Sequence, residues 1–438
     1  MKAWLGPARV LLRTRQAHRQ HDPGAGLRAL ARGADKAVGL RFGGRHVLLV
    51  LDPELAGQLL VGHAAETVKG PGVQLTRGLL GNGLLTSEGE DHRRARRLIA
   101  PAFSPRRLAG YTETFARSAR VRLTGWLDAD HLDLHQEMAA LTLEIVGKTL
   151  LGVDLSDEAP SVRAGLEAAL KEFGGEGFKL PGLRRRVPAF PDNGTRSAIH
   201  EVVDRIVEQR RANLSDDRGD VISALLAASA EPDGLSMIEV HDELMTLLMA
   251  GHETTANALS WTLYLLGQHP DVQRKVQSEV DQLGGRPPTF ADLPTLTYLR
   301  AVISEAIRLY PPAWIIGRQT LTDFQLDRWR LPAGSVVAVS PLLLHHDPRW
   351  FPEPARFDPQ RWLDERREAV PRHAYLPFGT GPRACIGEQF AWTEAITVMA
   401  VLAQLWTVQA DPTHQPKPQY RVTLRPANGM PMTVDARP

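Results

Sequence analysis

The chain has 438 residues, 43% hydrophobic and 23% charged, and only one cysteine, Cys385. This composition supplies an ample globular core, and 52 basic against 50 acidic residues leave a net charge of only +2, which argues against a polycation built for nucleic acid. A single cysteine excludes an intramolecular disulfide and any zinc or iron–sulfur site made of several thiolates, so a reducing cytoplasm is the expected compartment.

In chain order, Arg9, Arg13, Arg15, His18 and Arg19 interrupt the apolar positions of residues 1–20, and no cleavage site follows. No run of about 18 apolar residues occurs anywhere, so neither a secretory leader nor a transmembrane segment is expected. Val47–Leu51 reads as a strand stopped by Asp52-Pro53. From Ser104 onward helical spacing dominates, with apolar residues at three- and four-residue intervals over 132–151 and 196–212. Residues 174–194, rich in Gly and Pro, read as a long loop. Ser236 and Glu239 form a capping box that opens a helix from Met237 to about Gly267. That helix would be roughly 45 Å long, enough to cross a domain. Further helices are expected at 271–283 and 299–309, before nine prolines between Leu331 and Pro382 forbid long helices. Helix returns at 388–405.

Cys385 ends the run Phe378-Gly379-Thr380-Gly381-Pro382-Arg383-Ala384-Cys385 and is followed by Ile386-Gly387. An isolated cysteine is most often a small buried hydrophobe. Here a Gly-rich loop delivers it to a helix N-terminus, where the dipole and free N–H groups stabilise a thiolate and tune a bound metal. Gly381 allows a turn, Gly387 allows close approach of a flat partner, Phe378 can shield the sulfur and Arg383 can meet an anion. The run resembles the F-x-x-G-x-R-x-C-x-G signature of the cytochrome P-450 family of haem-thiolate monooxygenases, and Phe390, Ala391 and Glu394 match its usual continuation. The resemblance implies that Cys385 is the axial ligand of a haem iron and that Phe378, Gly379, Arg383 and Gly387 sit at the cofactor.

Other motifs follow in the family's order. Glu305 and Arg308 stand three residues apart on one helix face, a spacing that by itself usually gives a solvated surface pair. They resemble the family's E-x-x-R, completed by Arg361 in Pro359-Gln360-Arg361-Trp362, which implies a structural lock on the proline-rich segment. Ala250-Gly251-His252-Glu253-Thr254-Thr255 resembles the family's oxygen-binding stretch. Small Ala250 and Gly251 would leave room for a flat cofactor, although such residues in a long helix usually mean close helix packing. Thr254 can bond a carbonyl one turn back and open the helix locally, and Glu253 can relay protons; the two are the expected catalytic residues. His252 reads as incidental, because no second His stands in the His-Glu-x-x-His order. His92 and Arg96 share a face of the segment that resembles the haem-edge helix and could both hold a propionate, with Arg318 as a further partner. Arg93, Arg94 and Arg97 read either as a solvated face or as a dock for an acidic electron-transfer protein.

The implied fold is mainly α, a cytochrome P-450 fold with a large helical domain and a smaller β-rich portion. Residues 1–438 would form one catalytic domain: a β-containing part to about 70, a helical core at about 85–310, a meander and haem loop at about 331–387, and a helix and tail at 388–438. The implied activity is O₂-dependent monooxygenation with haem b. No flavin or iron–sulfur module is visible, so electrons would come from a ferredoxin or flavodoxin with an NAD(P)H-dependent reductase. Leu75, Leu79 and Leu84, with Ala250, Trp314, Ile315 and Ile316, would form an apolar substrate pocket. Both motif regions resemble bacterial carotenoid-ring hydroxylases, so hydroxylation of a carotenoid or other terpenoid is expected. The alternatives are a fatty-acid hydroxylase, a peroxygenase, which typically lacks the threonine found at 254, and a non-catalytic haem or apolar-ligand binding protein.

Overall fold

A computed structural model describes residues 4–437 except 7–8, 11, 16–21, 43, 129–130, 156–161, 163–164, 166–194 and 213–218. The loop expected at 174–194 lies outside the described residues. Among the described residues from 89 onward, nine helices of nine residues or more carry the architecture: α1 Gly89–Ile99, α2 Pro105–Thr124, α3 Leu134–Val146, α4 Thr195–Arg211, α5 Val221–Ser229, α6 Met237–Gln268, α7 Pro270–Val280, α8 Thr297–Leu309 and α9 Glu388–Leu405.

Local chemistry fixes several of these boundaries. Both bonds of the capping box at the start of α6 are made, Glu239 N donating to Ser236 Oγ and Ser236 N to Glu239 Oε2. α3 begins later than periodicity suggests, because His131–Asp133 pairs as a strand with Pro431–Thr433 and Asp133 then caps His135 N and Gln136 N. α8 begins earlier than expected: the Glu279 carboxylate of α7 accepts from Tyr298 N and Leu299 N, both at 2.8 Å, and so caps a neighbouring helix.

The main sheet has five strands, β1 Ala37–Phe42, β2 Arg45–Val50, β3 Thr67–Lys69, β4 Ile316–Thr320 and β5 Val336–Val339, in the order β1-β2-β5-β4-β3. Only β2 and β5 are parallel, in register Val47–Val336 to Val50–Val339. The β-rich portion is therefore not confined to the N-terminal part: residues 316–339 supply its middle.

α6 runs through the helical core, packed on α3, α8 and α9. Trp261, fully buried, stacks on Tyr310 at 3.9 Å. Beneath α8, Glu305 accepts from Arg308 Nε and Nη2 at 2.8 and 2.9 Å and from Arg361 Nε at 2.9 Å. Trp362 Nε1 and Asp358 N also donate to it, while Arg308 spans to the carbonyls of His345, Pro354 and Arg356. The expected three-residue lock is thus a saturated buried network that ties the proline-rich segment to α8. Among the described residues, no helix is long and apolar enough to cross a membrane.

Candidate active site

The cysteine loop is held in shape from three sides. Cys385 N donates to Phe378 O at 2.9 Å, closing the loop on itself. Gly381 has φ +79°, and a Cβ there would fall 2.4 Å from Leu60 O, so only glycine fits. Arg96 Nη1, from α1, donates to Ala384 O at 2.7 Å. Gly387 is the N-cap of α9, and Phe378 meets Trp392 edge-on. Cys385 presents accessible surface, yet burial raises its thiol pKa, opposed by a hydrogen bond from Gly387 N–H. Both statements hold when the surface belongs to an internal space. Without a cation there, the thiol is favoured, and the helix N-terminus alone does not make a thiolate.

α6 carries the expected oxygen-binding stretch. Its central residues are buried, but Ala250 is exposed and Thr254, one turn on, is half-exposed. Thr254 Oγ1 donates to Ala250 O at 2.7 Å, as the sequence suggests, while the helix continues through this turn without a break. Gly251 instead serves helix packing: a Cβ on it would stand 3.1 Å from Val146 and 3.6 Å from Leu150, so its missing side chain admits the helix continuing from α3. His252 is buried on that same side, its carbonyl accepting from Thr142 Oγ1. Thr255 lies beside Glu394 of α9, whose fully buried carboxyl is pushed well above the usual carboxylate range by burial. This contact joins α6 to the helix that begins just after Cys385.

A basic cluster lies along one edge. Lys69 and Arg318 are cross-strand neighbours on β3 and β4. Arg318 is buried, its Nη1 donating only to Gly317 O and its Nε without a partner among the described residues. Burial, then the neighbouring Arg383, lower Arg318 to about 10. His92 is lowered to about 4 by burial and by Lys69, Arg383 and Arg96. Lys69 is lowered to about 8, chiefly by burial, and donates to Leu84 O and Ser87 O. Against this stand the carboxyl groups of Glu243, beside Lys69, and of Glu88, which Arg383 grips through Nε and Nη2 while also holding Ala64 O and Thr67 O. Arg383 is thus spent on protein contacts, whereas Arg318 retains an unanswered donor.

Of the expected apolar pocket, Leu75, Ala250, Ile315 and Ile316 present surface, while Leu79, Leu84 and Trp314 are buried in the core. Arg94 does not belong to a solvated face: it pairs with Glu239 and donates to Gly234 O at 2.6 Å, fastening α1 to the start of α6. Arg93 and Arg97 are exposed. Sequence reasoning missed Lys69, Glu88 and Thr423, whose Oγ1 donates to Glu253 Oε1 at 2.7 Å. No motif marks them, because each reaches its partner only through the folded chain.

The residues present fit haem b. A sulfur with accessible surface stands at a helix N-terminus, Ala250 is exposed on an otherwise buried stretch of α6, and a buried guanidinium with one unanswered donor and cationic neighbours suits carboxylate side groups. Such a site defines a haem-thiolate oxygenase. A family model described as Cytochrome P450 matches residues 6–432, and the chain belongs to that family of haem b monooxygenases, which use O₂ as co-substrate. It is 40% identical over 403 residues to cyclooctatin synthase of Streptomyces melanosporofaciens, covering 90% of this chain and 88% of that one. It is 38% identical to cyclooctat-9-en-7-ol 5-monooxygenase of the same organism, covering 86% and 83%. Identity to pentalenene oxygenase of Streptomyces avermitilis is 34%, covering 91% and 90%.

Proposed function

We propose that this P450 hydroxylates a cyclised terpenoid in the cytoplasm, drawing electrons from a ferredoxin or flavodoxin served by an NAD(P)H-dependent reductase. The observation that carries the reading is similarity over most of the chain to cyclooctatin synthase and to two oxygenases named for cyclooctat-9-en-7-ol and pentalenene, in a chain where Leu75, Ala250, Ile315 and Ile316 of the expected pocket present surface. A carotenoid ring is the narrower expectation: these three relatives are not named for a carotenoid, whereas Protein LUTEIN DEFICIENT 5 of Arabidopsis thaliana, 31% identical over 430 residues, is named for lutein.

In this reading residues 1–438 act as one catalytic domain; Cys385 would hold the iron of a haem, which when bound would supply O₂ activation. Arg318, His92 and Lys69 would hold the propionates, while Arg96 and Arg383 keep the cysteine loop and its neighbours in place. Thr254 keeps a hydroxyl at the exposed Ala250 turn of α6 and Glu253 supplies protons from behind it. The pocket residues exclude water and orient the hydrocarbon by apolar burial. Overall, substrate RH, O₂, two electrons and two protons give ROH and water.

The test is a binding and turnover panel of cyclic terpenes, carotenoids and fatty acids with the haem-loaded protein. The expected result is a low- to high-spin shift with cyclic terpenes, and a hydroxylated product carrying one oxygen from isotopically labelled O₂. A shift with fatty acids alone would overturn the substrate class. Product formed with peroxide but not with O₂ and reductant would make the protein a peroxygenase.

A further inference from the structure

We propose that Thr423, in the turn of the C-terminal hairpin, is a positioning residue for proton delivery: it fixes the Glu253 carboxyl so that protons reach the oxygen site through it. The proposal rests on the monooxygenase reading of Glu253 and Thr254 and adds a residue from a distant part of the chain.

Two short strands, Lys417–Tyr420 and Leu424–Ala427, form the hairpin, and its turn reaches α6. Thr423 Oγ1 gives its only proton to Glu253 Oε1 at 2.7 Å and accepts from Asn257 Nδ2 at 3.2 Å. Glu253 and Asn257 are four residues apart, on one face of α6, so the threonine bridges successive turns. Thr423 and Glu253 are each 7% exposed and Asn257 not at all, so little water competes for these bonds. Asn257 Oδ1 has no partner among the described residues.

The turn cannot drift. Leu424 N donates to Pro312 O at 2.9 Å, Arg421 N to Thr423 O at 3.0 Å, and Trp314 Nε1 to Arg421 O at 2.9 Å. Pro312 and Trp314 lie in the stretch that leads into Ile315 and Ile316. Burial raises the Glu253 carboxyl, and the Thr423 bond, Arg425, Asn257 and Arg421 oppose it. A carboxyl balanced in this way can hold a proton and release it, provided its position is fixed.

The chemistry explains why position matters. When protons arrive at the right oxygen, O₂ takes up two electrons and two protons, its O–O bond breaks, and one oxygen enters RH while the other leaves as water. When they are misdirected, the same two electrons and two protons leave as hydrogen peroxide with the O–O bond intact. With four electrons and four protons and no substrate, O₂ becomes two waters. The reductant is NAD(P)H acting through an electron-transfer protein.

The test measures hydrogen peroxide released per NAD(P)H consumed by the full-length, haem-loaded protein with a surrogate ferredoxin and reductase. It is run without substrate and again with a cyclic terpene. Thr423→Ala should raise the peroxide fraction several-fold and slow product formation about tenfold, less than the roughly 10²–10⁴-fold lost with a proton-transfer group itself, because the Glu253 carboxyl remains. Thr423→Ser, which keeps the hydroxyl, should restore the parent values, and adding Thr423→Ala to Glu253→Gln should change little further. The ferrous carbonyl spectrum should be the same in all variants, so a folding or haem-loading defect would be seen there. A parent-like peroxide fraction in Thr423→Ala overturns the proposal, as does a Thr423→Ser variant as impaired as the alanine. Failure of the terpenoid reading looks different: the parent then makes no product from any terpene, while the substrate-free peroxide fraction still separates the variants.

Discussion

Cys385 shows how far a sulfur can be prepared before its metal arrives. Burial favours the thiol, so the site gains from a cation that accepts the thiolate, which is the expected link between haem loading and deprotonation. Cys385→Ser should still fold, because the loop is held by backbone bonds and by Arg96, but its ferrous carbonyl complex should lose the strongly red-shifted absorption of thiolate ligation. If that band persists, the ligand is a different residue. Arg318→Leu probes the other edge of the cofactor: losing one charge-assisted bond of about 1.5–3 kcal/mol should weaken haem binding roughly ten- to hundredfold. The measurement is haem transfer to an apo-acceptor protein, and unchanged transfer would remove Arg318 from the site. At this scale the sequence was informative where residue type was unusual, as at Cys385 and Thr254. It was misleading where a charged residue has a choice of partners. Arg94 reads as part of a solvated face, but Glu239 claims it through the tertiary fold, whereas Arg383 does meet an anion, the Glu88 carboxylate.

Among the elements, α8 and the segment it grips depend on Glu305. Its carboxylate answers two arginines, an indole and a backbone amide, so removing its charge strands two buried guanidinium groups. Glu305→Gln should destabilise the fold by about 3–5 kcal/mol, the usual result of breaking a buried ion pair from one side. Denaturant titration checks this, and a loss below 1 kcal/mol would mean that the network is dispensable. The E-x-x-R spacing announced this cluster, but Trp362 and Asp358 complete it through contacts that no periodicity encodes. The helices divide the same way. The start of α6 was readable because Ser236 and Glu239 are local to it, whereas α8 is capped by Glu279 of another helix. Gly251 was read as room for a cofactor, and a small residue in a helix cannot declare which of its neighbours comes close.

For the molecule as a whole, buried titratable groups pull the pH dependence of stability in opposite directions. Burial lowers His135 to about 4, so between pH 6.5 and 4 the unfolded chain binds a proton that the folded one refuses. Relative to His135→Asn, the parent should therefore lose stability as pH falls through that window. Burial raises Glu243 to about 7, so between about 7 and 4.5 the folded chain holds a proton that the unfolded one releases. Relative to Glu243→Gln, the parent should gain stability over that fall. Melting temperatures of the three proteins across pH 4–8 check both signs, and equal slopes would show that neither group is buried as described. The interleaved sheet has a further consequence, on the ribosome. β2 pairs with β1 within a few residues, but its other edge is completed only by β5, at Val336–Val339. At about 5–20 residues per second, that edge waits roughly 15–60 s for its partner during synthesis. Val47, Leu48, Leu49 and Val50 present an apolar strand edge throughout the wait. A nascent chain of this kind is a natural client for a holding chaperone, and its hazard lies in translation stalling before residue 339.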